Sequence, residues 1–126
     1  MKSFIGALAV LVLLLVGACI YADCLNDTVD ALNESINELE ASIRNEDWNR
    51  CAGLTQSLIA DWKKAEKWMK MFIDHRQMDV INQTVYEMEG YISCKNHDDS
   101  AAKVVMLQNL LEHIPASEAI LFENIF

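Results

Sequence analysis

Between Lys2 and Asp23 the chain carries no charged residue, and FIGALAVLVLLLVGACIYA, Phe4 to Ala22, is almost wholly apolar. As an α-helix rising about 1.5 Å per residue, this stretch is roughly 29 Å long, enough to cross the hydrocarbon core of a bilayer. The chain has 126 residues, so beyond this run it has room for one domain. The expected division is residues 1–22 as a signal anchor or signal peptide and residues 23–126 as an extracytoplasmic helical domain. Lys2 precedes the run and acidic residues come after it, so the positive-inside bias places the domain outside the cytoplasm. The full length of the run fits an uncleaved anchor best, with a single pass through the cell membrane at residues 4–22. Two other fates stay open. Val16-Gly17-Ala18-Cys19 resembles a lipobox, which would make Cys19 a lipidation site, and Ile20-Tyr21-Ala22 is a fair cleavage site for secretion.

All 19 acidic residues lie beyond the run, against nine of the ten basic ones. A domain so acidic offers no phosphate-neutralising surface, which argues against nucleic acid as partner. It argues equally against a domain lying flat on anionic lipid. The ordinary reading of such charge is solubility.

After the run the chain holds one proline, Pro115, and two glycines, Gly53 and Gly90. With so few breakers and no alternating apolar pattern, the fold class is all-α. Leu25, Val29, Leu32, Ile36, Leu39 and Ile43 form a first helical stripe that continues directly from the anchor. The polar RNED, Arg44 to Asp47, breaks it, and Asn45 is the expected N-cap of the next helix. That second helix is expected to bury Trp48, Cys51, Thr55, Leu58, Trp62, Ala65, Met69 and Phe72. Ile81, Val85, Met88 and Ile92 mark a third helix, which fades near CKNHDD. Val104, Leu107, Leu111 and Ile114 mark a fourth, which Pro115 should stop, leaving SEAILFENIF as a short amphipathic tail that folds back. Short connections make successive helices antiparallel neighbours, so the anchor helix is followed by an antiparallel bundle of about four helices.

The order NEDW, LIADWKKAEKWMKMFIDH, MDVINQTVYEMEGYI, LLEHIP and ENIF behind one hydrophobic leader resembles a bacterial family catalogued as domain of unknown function 4363. The resemblance covers nearly the whole chain. It implies a signal-anchored helical domain and supplies no activity, cofactor or catalytic residue.

The densest group of polar residues lies at Asp74, His75 and Asp79. Asp74 and Gln77 have the spacing of a capping box. His75 and Asp79, four residues apart, share a helix face. A turn near Asn96 to Asp98 would bring His113 opposite Asp79, with Glu112 beside it. Two imidazoles and a carboxylate can hold zinc with a position open. The simpler expectation is a hydrogen-bonded lock between helix ends.

Lys63, Lys64, Lys67 and Lys70 form a basic stripe on the second helix. They could meet an anionic partner, although cross-helix pairing with Asp27, Asp30 and Glu34 explains them more simply. Trp48 and Trp62 fall on the apolar stripe. Trp68 lies off it, beside Lys64 and Lys67, and is the best single contact residue. Among the cysteines, antiparallel packing sets Cys51 within a turn of Cys94, so a Cys51–Cys94 bridge is expected. The alternative is a pair of small residues that never oxidise, since bridge geometry is demanding. Cys24 lies roughly 40 Å of helix away from Cys51 and should be unpaired or join two chains.

No phosphate loop, nucleophile elbow, His-Glu-x-x-His or Cys-x-x-Cys is present. The expectation is a membrane-tethered interaction or scaffold module, not an enzyme, with no cofactor. Its partner would be another membrane or cell-envelope protein. The competing expectation is a metal- or small-ligand-binding module at the His75, Asp79 and His113 end.

Overall fold

The computed structural model describes the backbone of residues 1–125 and the side chains of residues 1–115. Four helices and no strand occur among the described residues: α1 (Lys2–Arg44), α2 (Trp48–Met69), α3 (His75–Ser93) and α4 (His97–Ile125). α1 packs on α2 and α4, and α3 packs on α4 and more sparsely on α2. The helices therefore form an up-and-down ring of four antiparallel neighbours.

α1 is one helix of 43 residues and crosses the expected boundary at Ala22 without a break. Its first stretch is exposed, with Phe4, Leu13 and Ile20 all bare. Full burial begins at Leu25 and continues through Val29, Leu32, Ile36, Leu39 and Ile43. One rod thus has two environments. The segment near the N-terminus is long and apolar enough to span a membrane, and the remainder is a wall of the bundle.

The expected stripes supply the core. Cys51, Leu58, Trp62, Ala65 and Met69 come from α2, Ile81, Val85, Met88 and Ile92 from α3, and Val104, Leu107, Leu111 and Ile114 from α4. Each fully buried Leu, Ile or Met contributes about 1.5–3 kcal/mol, so these stripes outweigh any single surface contact. Trp62 brings a polar N–H into this core and donates it to Asn82 Oδ1 across the α2–α3 seam at 2.7 Å. Gln108 donates to Asn37 Oδ1 at 2.8 Å, fixing the register of α4 on α1. Lys103 on α4 pairs with Glu87 on α3. The hydrogen bond from Lys103 holds the Glu87 carboxyl below its ordinary range, and the same bond raises the Lys103 ammonium.

The helix ends depart from expectation in three places. Asn45 is the C-cap of α1, and Asp47 caps α2 by accepting from the Arg50 N–H at 3.3 Å. α2 stops at Met69, so Phe72 lies in the following turn, 58% exposed, and Ile73 takes the core position instead. α4 does not stop at Pro115 but continues to Ile125. Proline removes a single backbone hydrogen bond, and the helix ahead of it is already anchored by Leu107, Leu111 and Ile114. The SEAILFENIF segment is thus helical backbone through Ile125 rather than a returning tail; the expectation that it is amphipathic lies outside the described side chains.

The two turns at the far end share one form. Glu46 N–H bonds Ile43 O and Asp47 N–H bonds Ser42 O, at 2.9 and 3.0 Å. Lys95 N–H bonds Ile92 O and Asn96 N–H bonds Tyr91 O, both at 3.0 Å. Each is a Schellman closure, and each puts a residue with a Cβ in the left-handed region, Glu46 at φ 54° and Lys95 at φ 56°. Asn96 then caps α4, accepting from the Asp99 N–H at 3.1 Å while its amide donates to the Asp99 carboxylate at 2.7 Å.

Candidate functional site

The polar group at the start of α3 does one of the things expected of it. Asp74 caps the helix, accepting from the Arg76 N–H at 3.0 Å. Gln77 does not complete the box; its amide nitrogen is enclosed with no hydrogen-bond partner among the described residues. His75, Asp79 and His113 are all exposed. At about 100° per residue, each lies more than a quarter turn from its helix's buried stripe. Ile73, Met78 and Ile114 fill the inward positions instead. No three His, Cys, Asp or Glu residues come together to hold a metal among the described residues. The expected lock, and the zinc site with it, are not assembled.

The basic stripe is also free of the expected cross-helix pairs. Lys63, Lys64, Lys67 and Lys70 are exposed. The ion pairs among the described residues join Arg44 to Glu40, Arg76 to Asp74, His97 to Asp98 and Lys103 to Glu87. Asp27, Asp30 and Glu34 enter none of them. Around each antiparallel helix pair the buried stripe sets the rotation, and it turns both charge sets outward.

Trp68 does lie off the stripe, half-buried, as the spacing requires. Its partner comes from α1. The Tyr21 and Trp68 rings meet edge to face with centroids 6.2 Å apart, and Tyr21 and Phe72 lie 4.8 Å apart at a tilt. Met71 beside them is 69% exposed. An aromatic cluster therefore joins the end of the apolar run of α1 to the α2–α3 turn. The helical stripe assigns Phe72 to the core and singles out neither Tyr21 nor Met71. The available signal was an aromatic residue at the edge of an apolar run, together with a Met-Phe pair framed by Lys70 and Asp74.

All four cysteines are free thiols in the structure. Cys51 is wholly buried on the inner face of α2, whereas Cys94 is the exposed C-cap of α3. The expected Cys51–Cys94 bridge is not formed, because one thiol faces the core and the other faces solvent. Burial, and secondarily the charge of Asp47, pushes the Cys51 thiol up from its ordinary range. Such a thiol is a poor nucleophile. Cys24 and Cys19 are exposed along α1.

The surface depressions among the described residues include a shallow one between α1 and α2, lined by Asp27, Thr28, Ala31, Leu32 and Asp61, and two others. A groove of about 220 Å³ at the far end lies between Trp48, Thr55, Glu89, Ile92 and Lys95. A shallower one on the outer face of α4 is lined by Ala102, Val105, Met106, Asn109, Leu110 and His113.

These features define an all-α protein whose first helix begins as an apolar run and continues as one wall of a four-helix bundle. Residues 19–125 match the family described as Domain of unknown function (DUF4363), and the chain belongs to it. The match begins within the apolar run and takes in the whole bundle. No curated protein and no solved structure matches the chain.

Proposed function

We propose that this chain is a single-pass, membrane-tethered protein whose helical domain stands outside the cytoplasm and acts by binding another membrane or cell-envelope protein, without catalysis. The continuity of α1 carries this reading. Leu25, Val29, Leu32, Ile36, Leu39 and Ile43 are locked in the core while most of the apolar residues before Tyr21 are bare. A bilayer that holds residues 4–22 therefore also sets the height and direction of the bundle. Tethering concentrates the domain near partners in the same membrane.

The outer face of α4 is the surface best suited to such a partner. Val105 and Met106 stand 48% and 41% exposed there, beside Ala102 and Leu110. A photo-crosslinking residue at Val105 of the full chain, activated in intact membranes, tests this. The expected result is a discrete adduct with an envelope protein that disappears when Met106→Glu is added. Equal crosslinking with and without Met106→Glu, or no protein adduct, would overturn the interaction reading.

A further inference from the structure

We propose that the α2–α3 turn is a foot that rests in the outer interfacial layer of the bilayer holding α1, with Trp68, Met71 and Phe72 at the level of the headgroups and the surrounding lysines on anionic phospholipid. This inference rests on the reading that residues 4–22 span the membrane. The stretch of α1 from Asp23 to Arg44 is as long as the 22 residues of α2. α2, antiparallel to it, therefore returns to the level at which α1 leaves the apolar run. The ring contacts fix that level directly. Tyr21 is the next-to-last residue of the run, and Phe72 lies 4.8 Å from it.

The chemistry of the turn suits that depth. Met71 and Phe72 are 69% and 58% exposed, an arrangement that costs free energy in water and gains it in the interfacial layer. Tryptophan and tyrosine are the residues that favour this layer, with an apolar ring and a polar edge. Residues 63–76 carry Lys63, Lys64, Lys67, Lys70 and Arg76 against Glu66 and Asp74, so half of the chain's ten basic residues gather here. Asp23 and Asp27 are the acidic residues on the neighbouring part of α1. The same end also carries Asp61, Asp79 and Glu112, so the positive excess belongs to the turn segment alone, and in a protein of net charge −9 that segment is the part that complements an anionic surface. Lysine stems can lie along the apolar layer while their ammonium groups reach phosphate. The domain's overall acidity then holds the rest of the bundle upright rather than flat.

The test uses the full chain reconstituted into vesicles of phosphatidylcholine with phosphatidylglycerol, some of the phosphatidylcholine brominated on its acyl chains near the headgroup. Bromine quenches tryptophan only at short range. Trp62 is buried and Trp48 begins α2 at the far end, roughly 30 Å of helix from Trp68. Brominated lipid is expected to dim the full chain's emission, and Trp68→Phe is expected to remove most of that loss. Met71→Asp with Phe72→Asp, at two exposed positions that the core does not need, should also remove it while Trp68 remains. Lys67→Glu with Lys70→Glu should abolish the extra quenching that phosphatidylglycerol brings. Flotation separates the two readings. A chain that floats with the vesicles, keeps its helical circular dichroism and is not dimmed overturns the foot alone, leaving the turn to water, a second copy or a partner protein. A chain that does not float overturns the membrane span and the foot with it.

Discussion

Glu46 and Lys95 sit where a helix closure favours glycine, and their left-handed backbone, φ 54° and 56°, costs on the order of 1 kcal/mol each. Glu46→Gly and Lys95→Gly should therefore each raise stability by about 0.5–1 kcal/mol in urea unfolding of the detergent-solubilised chain. A loss of stability in both would mean that these closures are not as described. Trp62 depends on a single acceptor, Asn82. Asn82→Leu leaves its indole N–H buried without a partner and should cost about 1–3 kcal/mol, part of which Trp62→Phe in the same chain should recover. An Asn82→Leu chain as stable as the parent would show that this bond contributes nothing. Cys51 should resist thiol reagents in the folded chain while Cys24 and Cys94 react, and should react once urea unfolds the bundle. Its raised thiol pKa also sets a direction with pH. The protonated thiol favours the fold, so that contribution is complete below the ordinary thiol range of about pH 8.5 and is lost as pH climbs through the raised value. Cys51→Ser stability that falls just as steeply above that range would assign the loss to other groups.

At the level of the helices, the apolar periodicity told which residues pack, except at Trp48, which is half-buried, and Phe72, which is exposed. From Leu25 through Ile114, the stripes at three- and four-residue spacing became the core, because burial is worth several times any cap or surface pair. The ends were harder to read, and for physical reasons. The distal closures use Glu46 and Lys95, so the usual glycine signal is missing. Asn45 and Asp47 are both good caps by type, and only the chain's path decides between them. The polar lock failed for a related reason: a shared face between His75 and Asp79 says nothing about which way that face turns, and Met78 and Ile81 turn it outward. The basic stripe was visible, but its surroundings depend on Tyr21, some fifty residues away in sequence. Pro115 is the sharpest test at this scale. Lying inside α4, it should cost the helix up to about 3 kcal/mol relative to alanine, so Pro115→Ala should stabilise the chain measurably with little change in helical circular dichroism. A neutral effect would mark Pro115 as a helix boundary.

For the molecule as a whole, the sequence already separated an apolar leader from an acidic helical domain, and the structure adds that the two share one unbroken helix. On the proposed membrane-tethered reading, that continuity makes the tether a rigid post, with the aromatic turn at its base and two Schellman closures at its tip. Cys19, exposed in the middle of this helix, bears on the lipoprotein route, in which cleavage before it would remove most of the span. Cys19→Ala should leave membrane retention unchanged. The most direct measurement is protease digestion of cells stripped of their wall, with fractionation of the full chain afterwards. A tethered, outward-facing domain predicts that the chain stays in the carbonate-washed membrane pellet and that added protease removes the bundle. Release of the domain into the medium with Asp23 at its new N-terminus, or a bundle protected until the membrane is dissolved, would contradict it.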